Sequence, residues 1–205
     1  MKHLLLLCFV SWLLGLPESK QIGICMNATG EVYQSGNIRS GKIRKGESIY
    51  NGDKISTGKN AFFSLLNIQD KSVIRVYENS VVKIFEYVEK DSIKTEINIF
   101  GGRVSAELKK TRNKEFVVNT PSSIAVVKGT SFLAGHRTMN QHGLHIQGIS
   151  DCIFSVLTGK LEVQNTKSGR TIMVEQGKTL ISTSKGEFLI FETNDEFTQY
   201  FQEPK

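Results

Sequence analysis

The sequence predicts an all-β fold: one domain of many short strands, arranged as a sandwich or roll, with room for a short C-terminal helix. Runs rich in Val, Ile and Phe recur along the chain, and several alternate apolar with polar residues as half-buried strands do. Turn signals such as "NGD", "GG", "SG" and "KG" separate the runs. Beyond the N-terminal segment, no helical period is sustained over about ten residues.

The first element is not part of that fold. "MKHLLLLCFVSWLLGLPES" begins with Lys2, continues as an apolar run from Leu4 to Leu16, and breaks at Pro17. The pattern predicts a secretory signal peptide over residues 1–19, cleaved after Gly15 or after Ser19. The run is shorter than the roughly 20 apolar residues a spanning helix needs, and no later segment approaches that length. The expectation is an exported chain, periplasmic or secreted, with no transmembrane segment once mature. Ile24, ahead of Cys25, is not the small residue a lipid-attachment signal requires.

Strands are then expected at "AFFSLLNI" (61–68), "SVIRVY" (72–77), "VVKIFEYV" (81–88), "TEINIF" (95–100) and "EFVVN" (115–119). They continue as "SIAVVKG", "LHIQGI", "CIFSVLTG", "LEVQN", "TIMVEQG", "KTLIST" and "FLIFE". A glycine followed two residues later by an aliphatic recurs as "GEV" (30–32), "GRV" (102–104) and "GKL" (159–161), and reads as a repeated strand start. No linker divides the chain, so one domain is expected over 28–193. The tail 194–205, "NDEFTQYFQEPK", could form a short helix capped by Asn194 or Asp195.

Composition narrows the function classes. A hydrophobic fraction of 39% supports a packed core. The net charge of +6 comes from Lys and Arg dispersed among acids, not clustered with aromatic residues on one face, which argues against nucleic acid as partner. Cys8 lies in the signal segment. Cys25 and Cys152 remain as a candidate disulfide, or as two free thiols.

The stretch "NTPSSIAVVKGTSF" (119–132) holds one glycine between strand signals. A phosphate-binding loop needs several glycines and a lysine between a strand and a helix, so the stretch argues for β architecture over a nucleotide site. Thr120 and Pro121 read as a strand start, and Gly129 as a bulge or close backbone approach before Phe132. Gly52 and Asp53 form a turn dipeptide, and Asp70 reads the same way. Three imidazoles, His136, His142 and His145, are weak candidates for a metal site. No "G-x-S-x-G", no oriented Cys–His pair and no paired carboxylates beyond a charged run at Glu86, Glu89 and Asp91 are present. The expectation is a non-enzyme without cofactor.

"VVNTPSSIAVVKGTSF" resembles the signature of the FecR-type domain family. "ATGEVYQSG" (28–36), "GDKISTGKNAFFSLLNIQDKSVIRVYENSVVKI" (52–84), "GGRVSAEL" (101–108) and "SVLTGKLEV" (155–163) resemble its other blocks, in the family's order. Ala61, Lys71 and Ser123 depart from the pattern at turn or surface positions. The motif positions Gly52, Asp53, Thr57, Gly58, Asp70, Thr120, Pro121, Gly129, Thr130 and Phe132 are expected to be structural. The resemblance implies an envelope β domain whose regulators carry a cytoplasmic segment and a membrane helix, whereas only Met1 to His3 precede the apolar run. The expected function is therefore an exported module that binds an envelope protein or a cell-wall component. The alternative is a part in a sensing pathway related to FecR-type sigma-factor control.

Overall fold

The computed structural model describes residues 20–89, 92–109, 113–127, 129–136, 151–194 and 198. The first strands are β1 (Gln21–Thr29), β2 (Val32–Ser35), β3 (Ser40–Lys42), β4 (Ser48–Tyr50), β5 (Lys54–Thr57) and β6 (Phe62–Asn67). Then come β7 (Val73–Val76), β8 (Val81–Glu89), β9 (Ser92–Glu107), β10 (Lys114–Asn119), β11 (Ser123–Val127) and β12 (Ser131–His136). The last are β13 (Cys152–Thr158), β14 (Lys160–Asn165), β15 (Thr171–Glu175), β16 (Lys178–Ser182) and β17 (Phe188–Glu192). The expected all-β class is what the structure shows.

The strands form two layers joined by one shared strand. The first layer runs β4-β1-β6-β7-β9-β12-β13-β16-β17. The second runs β3-β2-β5-β8-β9-β10-β11-β14-β15. Neighbours are antiparallel except β9 and β10, which are parallel. The first half of β9 pairs with β8 and β10, and its second half with β7 and β12.

The main core lies between the layers, and Leu133 and Ile153 form a second, small buried cluster among the described residues. Phe63, Leu65, Ile74, Val104, Phe132 and Phe154 enter the main core from the first layer, and Ile55, Ile84, Ile97, Val118, Val127 and Val163 from the second. Alternation along the strands produces this directly. In β14 "KLEVQN", Leu161, Val163 and Asn165 are buried and the residues between them exposed.

One expectation needs correcting. "GG" at 101–102 was expected to separate two strands, but β9 runs unbroken through both glycines. Before them the odd positions Thr95, Ile97 and Ile99 are buried, and after them the even positions Val104 and Ala106. The register with β8 shifts at the same place, between Val81 and Val82. The pair is a bulge at which the strand changes layers, and the extra residue exchanges the faces. The recurrent "GEV", "GRV" and "GKL" therefore share a role. Gly30, Gly102 and Gly159 have φ of +74°, +86° and +82°, and each sits where the chain passes between layers.

Other differences are smaller. The folded region begins at β1, ahead of residue 28, with Ile22 and Cys25 in the core. Pro121 lies in the tight turn between β10 and β11, where Thr120 N donates to the Ser123 carbonyl at 2.9 Å, rather than in a strand. "LHIQGI" falls outside the described residues. Of the tail only Asn194 and Thr198 are described. Thr198 is helical, and its N–H donates to the Asn194 carbonyl at 3.3 Å, the bond expected of a capping residue.

Candidate binding face

The signature residues are absorbed by the scaffold. Thr57 Oγ1 accepts from Ser80 N at 2.9 Å, and Gly58 N donates to Glu31 O at 2.8 Å, which ties the β5–β6 corner to the β1–β2 corner. Asp70 Oδ1 accepts from Ser72 N at 2.8 Å in the β6–β7 turn. Thr120 Oγ1 both accepts from Ser123 N and donates to its carbonyl. Gly129 has φ +63° at the β11–β12 corner, and next to it Thr130 Oγ1 donates to Lys160 O at 3.1 Å. Phe132 is buried edge-on against Phe116, with ring centroids 5.9 Å apart.

Gly52 takes φ +82° in the turn before Asp53. Asp53 is more than a turn residue. It is buried, and its Oδ2 accepts from Tyr50 N at 2.7 Å and from Gln34 Nε2. Asp53 Oδ1 and Gln34 Oε1 are both buried without a donor. Burial pushes the Asp53 carboxyl up, opposed by the Tyr50 and Gln34 hydrogen bonds. A proton on this carboxyl would supply the donor the pair lacks. Because the folded pKa is raised, this group's contribution to stability is fully present below the unfolded carboxyl value of about 3.9 and is lost as pH rises through the folded value. Asp53→Asn removes that titration. Urea unfolding from pH 4 upward is expected to show a flatter stability profile for the variant. Parallel profiles for the two proteins would refute the assignment.

Cys25 and Cys152 are both buried and neither is in a disulfide, so the candidate bridge is not made. They sit on β1 and β13, and β6, β7, β9 and β12 lie between those strands in the first layer. At roughly 5 Å per strand this separation exceeds the about 7 Å between Cα atoms that a disulfide tolerates. Burial pushes the Cys25 thiol up to about 11 and the Cys152 thiol up as well, the latter opposed by the Ser122 and Thr120 hydroxyls. Cys152 Sγ lies 3.7 Å from His136 Nδ1, both buried. His142 and His145 fall outside the described residues. Among the described residues no three metal-ligating side chains gather.

On the outer face of the first layer, Arg75, Ser105, Leu133, Ser155, Thr179 and Phe191 occupy one cross-strand row, directed away from the core because their neighbours Ile74, Ala106 and Phe132 point into it. Ser105, Leu133, Ser155 and Thr179 in the middle of the row are buried, and the row is open toward its two ends, at Arg75 and Phe191. A groove of about 440 Å³ crosses this row, lined by Arg75, Tyr77, Ser105, Glu107, Leu133 and Leu157. Arg75 Nη1 meets Glu107 Oε1 at 2.7 Å on its rim, and Tyr77 Oη meets Ser105 Oγ at 3.0 Å on its floor. The same face ends at β17, whose Leu189, Ile190 and Phe191 are all exposed. The sequence signal for that edge was "FLIFE" itself, a run of four apolar residues with no polar alternation. Neither groove nor edge could be located before the strand order was known.

The architecture is that of an all-β, two-layered domain whose open features are surfaces. Residues 53–147, a little under half of the chain, match the family model described as FecR protein. The match leaves out "ATGEVYQSG" and "SVLTGKLEV", the outermost blocks of the resemblance. Two crystal structures of a candidate anti-sigma factor from Parabacteroides distasonis share the fold, with TM-scores of 0.57 and 0.56 at 17% and 18% identity. Each alignment covers 72% of this chain and 63% of the other, so this chain spans less than two thirds of that protein. No curated protein matches the chain.

Proposed function

We propose that this chain is an exported, non-enzymatic FecR domain that binds a partner protein in FecR-type envelope signalling. The observation that carries the reading is the outer face of the first layer, which holds a groove lined by Arg75, Leu133 and Leu157 and ends at an apolar sheet edge. Such a surface recognises a partner by shape and backbone pairing and requires no chemistry. The FecR match and the fold shared with a candidate anti-sigma factor support the signalling context. The N-terminal pattern of Lys2, an apolar run and Pro17 supports export.

The test is photo-cross-linking in growing cells, with a photoreactive residue placed at Leu157 in the groove, at Ile190 on the edge, or at Ile38 in the distant β2–β3 turn. One discrete adduct with an envelope protein from Leu157 or Ile190, absent from Ile38, is the expected result. No adduct, combined with retention of the protein on purified cell wall, would replace this reading with glycan binding.

A further inference from the structure

Lysines that the sequence disperses among acids converge with aromatic residues on the outer face of the second layer. Tyr33, Ser35, Lys54, Ser56, Lys83 and Phe85 turn outward, because Gln34, Ile55 and Ile84 between them are buried. Register then sets Ser40, Ser35, Lys54, Lys83, Asn98 and Asn119 in one row across β3, β2, β5, β8, β9 and β10. The row holds hydroxyls, ammoniums and amides and no acid. At roughly 4.8 Å per strand it is about 24 Å long.

Its centre is a pair of like charges. Thr57 N donates to Ser80 O at 2.9 Å, and Ile84 N to Asp53 O at 3.1 Å, so Thr57–Ser80 and Asp53–Ile84 are hydrogen-bonded pairs. Pairs alternate along an antiparallel ladder, which puts Lys54 and Lys83 in a pair without backbone bonds, where side chains stand closest. Like charges directly opposite are destabilising. Among the described residues neither lysine has a carboxylate partner. Lys83 Nζ lies 5.0 Å from the centroid of the Phe85 ring. Glu96, diagonal to Lys83, accepts from Asn119 Nδ2 at 2.7 Å and lies 3.9 Å from Lys94, so its charge is engaged elsewhere.

Rings flank the pair on both sides. Tyr33, 47% exposed, stands opposite Lys42 on one side of the row. Phe85 stands on the other and stacks on exposed Tyr87, with centroids 6.1 Å apart and planes 13° apart.

These features select an occupant. The uncompensated lysines call for an anion. The strands beneath them, β2, β5, β8 and β9, are each paired on both sides, so no backbone edge is open to a peptide and recognition falls to side-chain tips. A sugar chain suits such a face, since its hydroxyls match serine and amide groups and its C–H surfaces pack on aromatic rings.

We propose that this face binds an acidic glycan, a sugar chain carrying carboxylates, laid across β2, β5 and β8. The carboxylates meet Lys54 and Lys83, the hydroxyls meet Ser35, Asn98 and Asn119, and the sugar faces pack on Tyr33 and Phe85. The groove and the β17 edge belong to the other layer, so this site does not depend on the partner-binding reading above.

The test is calorimetric titration of the purified protein with oligogalacturonate and with hyaluronan oligosaccharides. Binding that weakens with added salt is expected. Lys54→Gln combined with Lys83→Gln should weaken it by about tenfold or more, as loss of a charge-assisted hydrogen bond does. Tyr33→Ala should weaken it severalfold. The double lysine variant should also unfold at higher urea than the parent when no glycan is present, because the like-charge pair is gone. Lys167→Gln combined with Lys185→Gln removes the same charge from the β14–β15 and β16–β17 turns and should leave the affinity unchanged.

Binding of neither glycan would overturn the proposal, as would equal weakening by the two double variants, which would reduce the effect to net charge. Equal affinity for neutral chito-oligosaccharide, or for inorganic phosphate alone, would refute the acidic-glycan chemistry. Tighter binding of an acidic peptide, a DNA oligonucleotide or phosphatidylglycerol vesicles through the same two lysines would reassign the face to that partner.

Discussion

Replacing Gly102 with alanine is expected to destabilise the protein by roughly 2–5 kcal/mol, the sum of a left-handed backbone penalty and an overpacking penalty. Gly102 holds φ +86° where β9 changes layers. A Cβ built there would lie 2.0 Å from Ser80 Oγ and 2.5 Å from Ser80 Cα. The close contact includes backbone, so a rotamer change cannot relieve it. Ser80 is held in turn, since its Oγ accepts from Arg103 N at 2.9 Å. Urea unfolding of Gly102→Ala, alone and with Ser80→Gly, measures the two penalties. The double variant should recover only the part of the steric penalty that comes from the Ser80 side chain, since Ser80 Cα stays 2.5 Å from the new Cβ, and should keep the conformational part. A loss below about 1 kcal/mol for Gly102→Ala would mean that the corner adapts freely, against this account of β9.

Phe132→Ala is expected to cost about 3–5 kcal/mol, the usual range for a large aromatic removed from a packed core. Phe132 is 1% exposed, faces Ala106 and Val156 across β12, and packs edge-on against Phe116 from the second layer. The contact joins the two layers, and a cavity there cannot close without moving a sheet. Phe191→Ala serves as the control. It removes the same ring from an exposed edge position and should change stability by no more than about 0.5 kcal/mol. Domains of this kind are stable by only about 5–15 kcal/mol, so Phe132→Ala should also lower the folded yield, whereas Phe191→Ala should act on partner binding alone. Equal destabilisation by the two changes would place β17 inside the cooperative core.

The contrast between these two phenylalanines separates what is structural in the chain from what is available for function. The signature positions Thr57, Gly58, Thr120, Gly129 and Thr130 hold corners and turns through backbone hydrogen bonds, and none of them lines the groove. The signature positions are therefore occupied with holding the scaffold.

The sequence by itself determined the fold class and the inward face of most strands. Alternation is a local property: each residue pair along "KLEVQN" or "VVKIFEYV" declares which side is apolar without reference to any partner. It also marked the corner glycines, because a residue without Cβ is the cheapest way to reach positive φ. Tertiary structure decided the rest. Whether "GG" ends a strand or carries it into a second layer depends on Ser80 lying beside it, a contact made 22 positions away along the chain. Whether Cys25 reaches Cys152 depends on four strands placed between them. Whether "FLIFE" is a core strand or an open edge depends on whether another strand lies beyond it. Each of these is settled by the order of strands across a sheet, and that order is set by non-local pairing that the two-residue period does not encode.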